Sequence, residues 1–281
     1  MDNAGVVARA SRSQVHRSYL FVPANRPDRY AKACATRAHA IIVDLEDAVP
    51  SHDKDSARTS LAEWLPHAPR PVLVRVNAAD SEWFEGDLQI CAGNNVAGLL
   101  LPKCERIDDL RRIADACADV PIHPLIETAR GLWNALSVAQ APGVRSVLFG
   151  SLDFQLDVGT SDDELLYARS QLVVVSRVAG IEAPIDGVTQ AIDDAELLRR
   201  HARRSRELGF GGKACIHPRQ VDIVNDCFAP TADDVRWAQA VVTAFAKASG
   251  SAVLVDGRMV DRPVLLKAQA ILSEGASAAD R

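Results

Sequence analysis

The chain has 281 residues, with 32 basic and 37 acidic side chains, a formal net charge of −5 and 48% hydrophobic residues. That balance disfavours nucleic acid as a main partner, while leaving room for an anionic small molecule held at a local positive site. No apolar run approaches membrane-spanning length, and six cysteines without a C-x-x-C pair read as reduced, mostly buried thiols.

The first sixteen residues lack the apolar core of a secretory signal and read as a disordered tail on a cytoplasmic protein. Arg9 and Arg12 among small residues would also suit an organelle presequence. Tyr19–Ala24 then predicts a buried strand ended by Pro23, and Arg26–Ala38 a helix. Ala40–Leu45 predicts a second strand that closes in Glu46 and Asp47. Lys54–Leu65 follows as an amphipathic helix with Ala57, Leu61, Trp64 and Leu65 on one face. Pro71–Asn77 is a third strand with a helix near Asp87–Cys91, and Gly98–Lys103 a fourth with its helix at Ile107–Cys117.

Two apolar runs, Ile122–Ile126 and Val147–Phe149, supply strands five and six, with a helix at Ala129–Ala139 between them. Each run is followed by a carboxylate, Glu127 and Asp153, so the pattern predicts two acids at the same end of successive parallel strands. Asp163–Ala179 reads as a helix, Ala183–Val188 as a weak seventh strand, Asp193–Leu208 as a helix capped by Gly209, and Gly211–His217 as the eighth strand.

Strict strand–helix alternation implies a parallel sheet with helices outside it. Eight such units predict a closed (β/α)8 TIM barrel over residues 17–228. An open doubly wound sheet is the alternative, but the first strand–helix turn, V-P-A-N-R-P, carries no dinucleotide fingerprint. Residues 229–281 predict a C-terminal helical arm that packs on the barrel or on a neighbouring subunit. It holds a helix at Asp233–Ser249, an extended stretch at Ala252–Asp256, and a second helix starting near Met259 with Pro263 in its first turn.

Chemistry in such a barrel sits at the carboxyl ends of the strands. Those ends carry Glu46, Asp47, Arg75, Asn77, Lys103, Glu127, Asp153, Asp186 and His217. Oxygen ligands from Glu127 and Asp153 suit Mg2+, which takes one or two carboxylates and leaves its other positions to water or substrate. Each residue also has a plainer reading. Glu127 and Asp153 would serve as helix caps, and Arg75 as the structural partner of Glu46 or Asp47. Lys103 and Lys213 fit a Schiff-base role or a structural, anion-contacting one. His217 reads as a structural rim residue, Asp186 as a pocket or turn acid, and the arginines of 199–206 as a solvated helix face.

Eight motifs occur in order: R-S-Y-L-F-V-P-A from Arg17, V-D-L-E-D-A-V from Val43, V-R-V-N from Val74, L-P-K from Leu101, I-E-T from Ile126, F-G-S-L-D from Phe149, G-G-K-A-C-I-H-P from Gly211 and G-R-M-V-D-R-P from Gly257. Together they resemble the HpcH/HpaI aldolase/citrate lyase superfamily, in its citrate lyase beta subunit-like branch, which includes malyl-CoA and citramalyl-CoA lyases. Ala24 departs from the glycine of many relatives, and Ser151-Leu152 falls at a variable place.

The resemblance implies a TIM barrel in a trimer or hexamer, with Glu127 and Asp153 as Mg2+ ligands and Glu127 also in the substrate site. It implies that Arg75 binds a carboxylate of the keto acid and that Glu46 and Asp47 order the same pocket, one of them being the candidate general base. Asp261 resembles an aspartate that reaches a neighbouring subunit's site in relatives with malate-synthase-like or thioesterase activity.

The expected reaction is Mg2+-dependent cleavage of a β-hydroxyacyl thioester, such as malyl-CoA, citramalyl-CoA or a citryl thioester, into a 2-oxo acid and an acyl thioester. The alternatives are a malyl-CoA thioesterase or malate-synthase-like enzyme using Asp261, a free-acid aldolase, and a citrate lyase complex subunit acting on a carrier-protein thioester.

Overall fold

The computed structural model describes residues 16–93, 95–161, 165–248, 252–255 and 257–279. Expectations for residues 1–15, Asp163, Ser249 and Asp256 fall outside the described residues. The contacts divide the chain into two units, one of them His16–Phe228.

This unit is a closed barrel of parallel strands, each hydrogen-bonded to the next and β8 returning to β1. In chain order its elements are β1 Ser18–Pro23, α1 Tyr30–Cys34, β2 Ala40–Asp44, α2 Lys54–Trp64, β3 Val72–Arg75, α3 Phe84–Cys91, β4 Val96–Leu101 and α4 Ile107–Ala116. There follow β5 Ile122–Ile126, α5 Ala129–Trp133, α6 Ala135–Ala139, β6 Leu148–Phe149, α7 Ser151–Val158, α8 Leu166–Ala179, β7 Ile185–Asp186, α9 Ala195–Leu208, β8 Gly212–Cys215 and α10 Pro218–Phe228. The predicted (β/α)8 alternation is the one observed.

Local chemistry accounts for the boundaries. β2 and β5 are buried along their whole length, as strands covered on both faces must be. Asp194 Oδ1 accepts the Leu197 N–H to start α9, and Gly209, at φ 102°, ends it in a left-handed cap. The helix expected at Ala129–Ala139 breaks at Asn134 into α5 and α6.

Side chains alternate across the pleat. Ile41 and Val43 join the large cluster between strands and helices. Tyr19, Ala40, Ile42, Leu73, Leu100, Leu125, Leu148 and Ile185 form a separate cluster filling the barrel's interior. The same parity carries Asp44, Arg75 and Glu127 inward at the carboxyl end, one step above Ile42, Leu73 and Leu125. Asp44 and Arg75 are direct partners in the β2–β3 register.

Asp153 does not close a strand: β6 stops at Phe149, and Asp153 is the third residue of α7. A segment reading L-F-G-S-L-D has no apolar periodicity to separate a longer strand from the first turn of a helix.

The second unit includes Ala229 onward. It contains α11 Ala232–Lys247, β9 Val253–Val255, β10 Arg258–Val260 and α12 Arg262–Ala279. Thr231 and Asp234 form a reciprocal capping box on α11. Ala238, Val241, Val260 and Ala268 are the centre of a small core of its own. Met259 was expected in a helix, but Arg258–Val260 pairs antiparallel with Val253–Val255 as a hairpin. Three residues are too few to show strand periodicity. No described helix is long and apolar enough to cross a membrane.

Candidate active site

Arg75 leaves β3 into a dense set of carboxylates. Its Nε and Nη2 donate to Asp44 Oδ1 and Oδ2 at 2.7 and 2.6 Å, a bidentate fork across neighbouring strands. Nη1 lies 3.0 Å from Glu46 Oε2, near enough for an ion pair but out of line for a hydrogen bond, and 3.5 Å from Asp47 Oδ2. The Phe21 ring lies 5.2 Å from the guanidinium carbon. The plainer reading, a partner in Glu46 or Asp47, is thus incomplete: the principal mate is Asp44. Burial opposes the Arg75 charge, but Asp44, Glu46 and Asp47 outweigh it and keep the guanidinium protonated.

Glu46 and Asp47 stand in contrasting surroundings. Burial pushes the Glu46 carboxyl up, aided by Asp47 and opposed by Arg75 and Lys103. Burial also works against the Asp47 charge, but a hydrogen bond with Glu46 and the charges of Arg75 and Lys103 hold it low. Adjacent carboxyls whose affinities are driven apart are suited to hold one proton between them. Asp47 is half exposed, while Glu46 is buried behind it.

Lys103 connects this set to the next strand. Its Nζ lies 2.7 Å from Glu46 Oε1, and its backbone N–H donates to Glu127 Oε1 at 2.7 Å. The residue has φ 49°, in the left-handed region that lysine rarely adopts. The ammonium is paired with Glu46 and lies 3.9 Å from Asp47 Oδ1.

Glu127 follows β5 and is 2% exposed. Its Oε2 is buried with no hydrogen-bond partner among the described residues. Burial pushes its carboxyl up to about 8, opposed by the Lys103 N–H and reinforced by the Asp153 charge. Gly150, at the end of β6, makes room for it: a Cβ there would lie 2.5 Å from both Glu127 Cβ and Oε2.

Of these groups, Asp44, Asp47, Arg75, Glu127 and Gly150 line a pocket of about 400 Å³. Asp44, Asp47, Arg75, Glu127 and Asp153 provide its charges, and Phe21, Leu125, Leu148 and Ile216 are among its apolar walls. Asp186 and Lys213 instead form a buried pair at 3.3 Å, with Arg169 on the other carboxylate oxygen. Burial opposes ionisation of Asp186, but the two cations pull its carboxyl down to about 2. His217 Nδ1 accepts the Arg219 N–H at the start of α10, a structural position. Asp261, in the second unit, accepts the Val264 N–H and so caps α12.

The residues missed from sequence are Asp44, Lys54, Asp87 and Gly150. Asp44 falls inside the predicted strand Ala40–Leu45, where the pattern gives it no role, although an inward carboxylate opposite an inward arginine is what burial of Arg75 requires.

A match to the family described as HpcH/HpaI aldolase/citrate lyase runs over residues 17–218, the whole strand-and-loop set that builds this pocket. The chain belongs to the HpcH/HpaI aldolase/citrate lyase family. It is 37% identical to a citrate lyase subunit beta-like protein of Deinococcus radiodurans, covering 92% of this chain and 97% of that one. It is 34% identical to a (3S)-malyl-CoA thioesterase of Cereibacter sphaeroides, covering 95% of this chain and all of the relative. Among solved structures, CitE of Mycobacterium tuberculosis in complex with magnesium, acetoacetate and coenzyme A superposes with a TM-score of 0.83 at 31% identity, covering 93% of this chain and 98% of that one.

The donor set here fits a hard divalent cation. Among the described residues no group of three His, Cys, Asp or Glu side chains is arranged to enclose a metal. Two carboxylates with an unpartnered buried oxygen match the open, partly hydrated coordination Mg2+ prefers.

Proposed function

We propose that this chain is a Mg2+-dependent carbon–carbon lyase that cleaves, or in reverse forms, a β-hydroxyacyl thioester. The thioester is of malyl-CoA, citramalyl-CoA or citryl type, and the products are a 2-oxo acid and an acyl thioester. The observation that carries this reading is the unpartnered, buried Oε2 of Glu127, lining one pocket with Asp153 and Arg75.

Glu127 and Asp153 hold the ion, which when bound supplies Lewis-acid stabilisation of the oxyanion on the departing oxo acid. Arg75 is pre-oriented by Asp44, and its remaining N–H groups bind the substrate carboxylate. The Glu46–Asp47 pair takes the hydroxyl proton, with the exposed and ionised Asp47 as acceptor. As the carbon–carbon bond breaks, its electrons pass to the acyl thioester as an enolate. The pair then returns the proton to that carbon, so the proton count closes. The apolar walls exclude water from the enolate.

In this reading the chain works within a homotrimer or hexamer. Six free thiols, most of them buried, suit a cytoplasmic setting. The partners are the thioester and the 2-oxo acid, with no role for nucleic acid or membrane. A thioesterase or malate-synthase-like activity through Asp261 is the second reading, favoured by the (3S)-malyl-CoA thioesterase among the relatives.

The test is turnover of the purified chain on malyl-CoA and citramalyl-CoA with and without Mg2+, following glyoxylate or pyruvate and free CoA. Metal-dependent release of oxo acid, abolished by Glu127→Ala or Asp153→Ala, is expected. Free CoA without oxo acid would favour the second reading, and neither product would point to a carrier-protein thioester.

A further inference from the structure

Lys54 opens α2 and is buried, 7% exposed. An ammonium has three N–H donors. Those of Lys54 reach the Leu45 carbonyl at 2.8 Å, the Glu46 carbonyl at 3.0 Å and Asn77 Oδ1 at 2.5 Å. The Trp83 ring lies 5.2 Å from Nζ. None of the three hydrogen-bond acceptors is a carboxylate, although a buried ammonium ordinarily takes one. Two are the backbone carbonyls at which β2 turns into the segment bearing Glu46 and Asp47.

The third acceptor leads outward. Asn77 donates both its backbone N–H and its side-chain Nδ2 to Asp87 Oδ2, at 2.8 and 2.6 Å. The other oxygen of Asp87 accepts from Arg58 Nε at 2.9 Å. A continuous chain therefore runs from Arg58 on α2 through Asp87 on α3 and Asn77 after β3 to Lys54, and ends on the backbone of residues 45 and 46. Burial lowers the Lys54 proton affinity, while Glu46, Asp44, Asp87 and Asp47 raise it. The ammonium thus sits amid four negative groups but bonds to none of them. Lys54 is absent from the pocket lining, so it has no evident contact with substrate.

We propose that Lys54 is a positioning residue for the lyase reaction: its three hydrogen bonds fix the backbone of residues 45–46 against Asn77 and so aim the Glu46–Asp47 pair at the substrate. This rests on the proposed role of that pair in proton transfer. Side chains held through their own backbone lose little by way of reorganisation during the reaction, and a misplacement of about 1 Å costs on the order of 100-fold in rate.

The experiment uses the full-length chain with Mg2+ and the thioester on which the wild type turns over. Lys54→Met and Asn77→Ala are compared singly and together, with melting temperature and Mg2+ affinity measured on each. Lys54→Met is expected to lower kcat by about 100-fold while leaving KM within threefold. Mg2+ affinity is expected to stay within twofold, because Glu127 and Asp153 lie on other elements. Asn77→Ala is expected to lower kcat by about tenfold, and the double variant to be no slower than Lys54→Met, since both act through one chain of bonds.

A folded Lys54→Met enzyme with kcat within threefold of wild type overturns the proposal. So does a loss confined to KM, or a double variant whose losses multiply. If Lys54→Met does not fold, Asn77→Ala with unchanged kcat overturns it alone. A wild-type chain that cleaves no thioester overturns the lyase reading and this proposal together, whereas an active wild type with an active Lys54→Met removes only the latter.

Discussion

Mg2+ affinity should depend on pH far above the usual carboxylate range. Metal ligands must be deprotonated, so binding displaces the proton of Glu127. With its carboxyl pushed up to about 8 by burial, about half of the chains carry ionised Glu127 at pH 8 and about one in a hundred at pH 6. Apparent affinity should fall about 50-fold between those values, with close to one proton released per ion at the lower pH. An ordinary carboxylate would give almost no change over the same range.

The same residue sets the metal-free stability. Below the ordinary carboxylate range Glu127 is protonated in both folded and unfolded chains. As pH rises, the unfolded chain loses the proton first, and the folded chain keeps it until about pH 8. Stability therefore falls across this window by about 1.4 kcal/mol per pH unit, on the order of 5 kcal/mol in all. Saturating Mg2+ should remove the Glu127 part of the fall, and Glu127→Gln should do the same, leaving the part due to Glu46, whose carboxyl burial also raises. Isothermal titration in buffers of different ionisation enthalpy, with melting curves from pH 5 to 8, reads both effects. Affinity that varies less than threefold between pH 6 and 8 would refute the reasoning.

Gly150→Ala places a methyl group 2.5 Å from Glu127 Oε2 at a φ of −83°, which alanine adopts readily, so its effect comes from contact alone. Overpacking of about 1–3 kcal/mol should appear as a fivefold or greater loss of Mg2+ affinity, read by titration. Arg75→Lys keeps the positive charge beside Asp44 but loses the bidentate fork, and should lower stability by about 1.5–3 kcal/mol in denaturant unfolding, besides weakening oxo-acid binding. Lys103→Gly keeps the backbone N–H that holds Glu127 and suits the left-handed φ, so Mg2+ affinity should persist while kcat falls as Glu46 loses its partner. Asp261→Asn preserves a side-chain oxygen able to cap α12, so melting should not change. Lyase turnover should also survive, and any thioester hydrolysis measured as free CoA should disappear.

The barrel was legible because its strands are buried on both faces and read as short apolar runs separated by amphipathic helices. Glu127 was legible because it follows such a run directly. Asp44 was not, since its meaning depends on the β2–β3 register, which brings it opposite Arg75. Lys54 was hidden for another reason: a lysine in the first turn of an amphipathic helix reads as solvated surface, and only the packed structure shows its head group turned inward. Asp153 stands out in the sequence but its element does not, because one helical turn after Gly150 looks the same as a frayed strand end. Where interactions are set by partners far apart in the chain, periodicity carries no record of them.

The inward alternation of Ile42 with Asp44, Leu73 with Arg75 and Leu125 with Glu127 bears on how this sequence can diverge. A pleat has no half-steps, so loss or gain of one residue within β2, β3 or β5 would rotate its acid or base toward the surrounding helices and bring an apolar neighbour into the site. A length change inside these strands is thus an inversion rather than a trimming. Lineages descending from this chain are free to vary the lengths of their loops, but along these three strands they can change only one side chain for another.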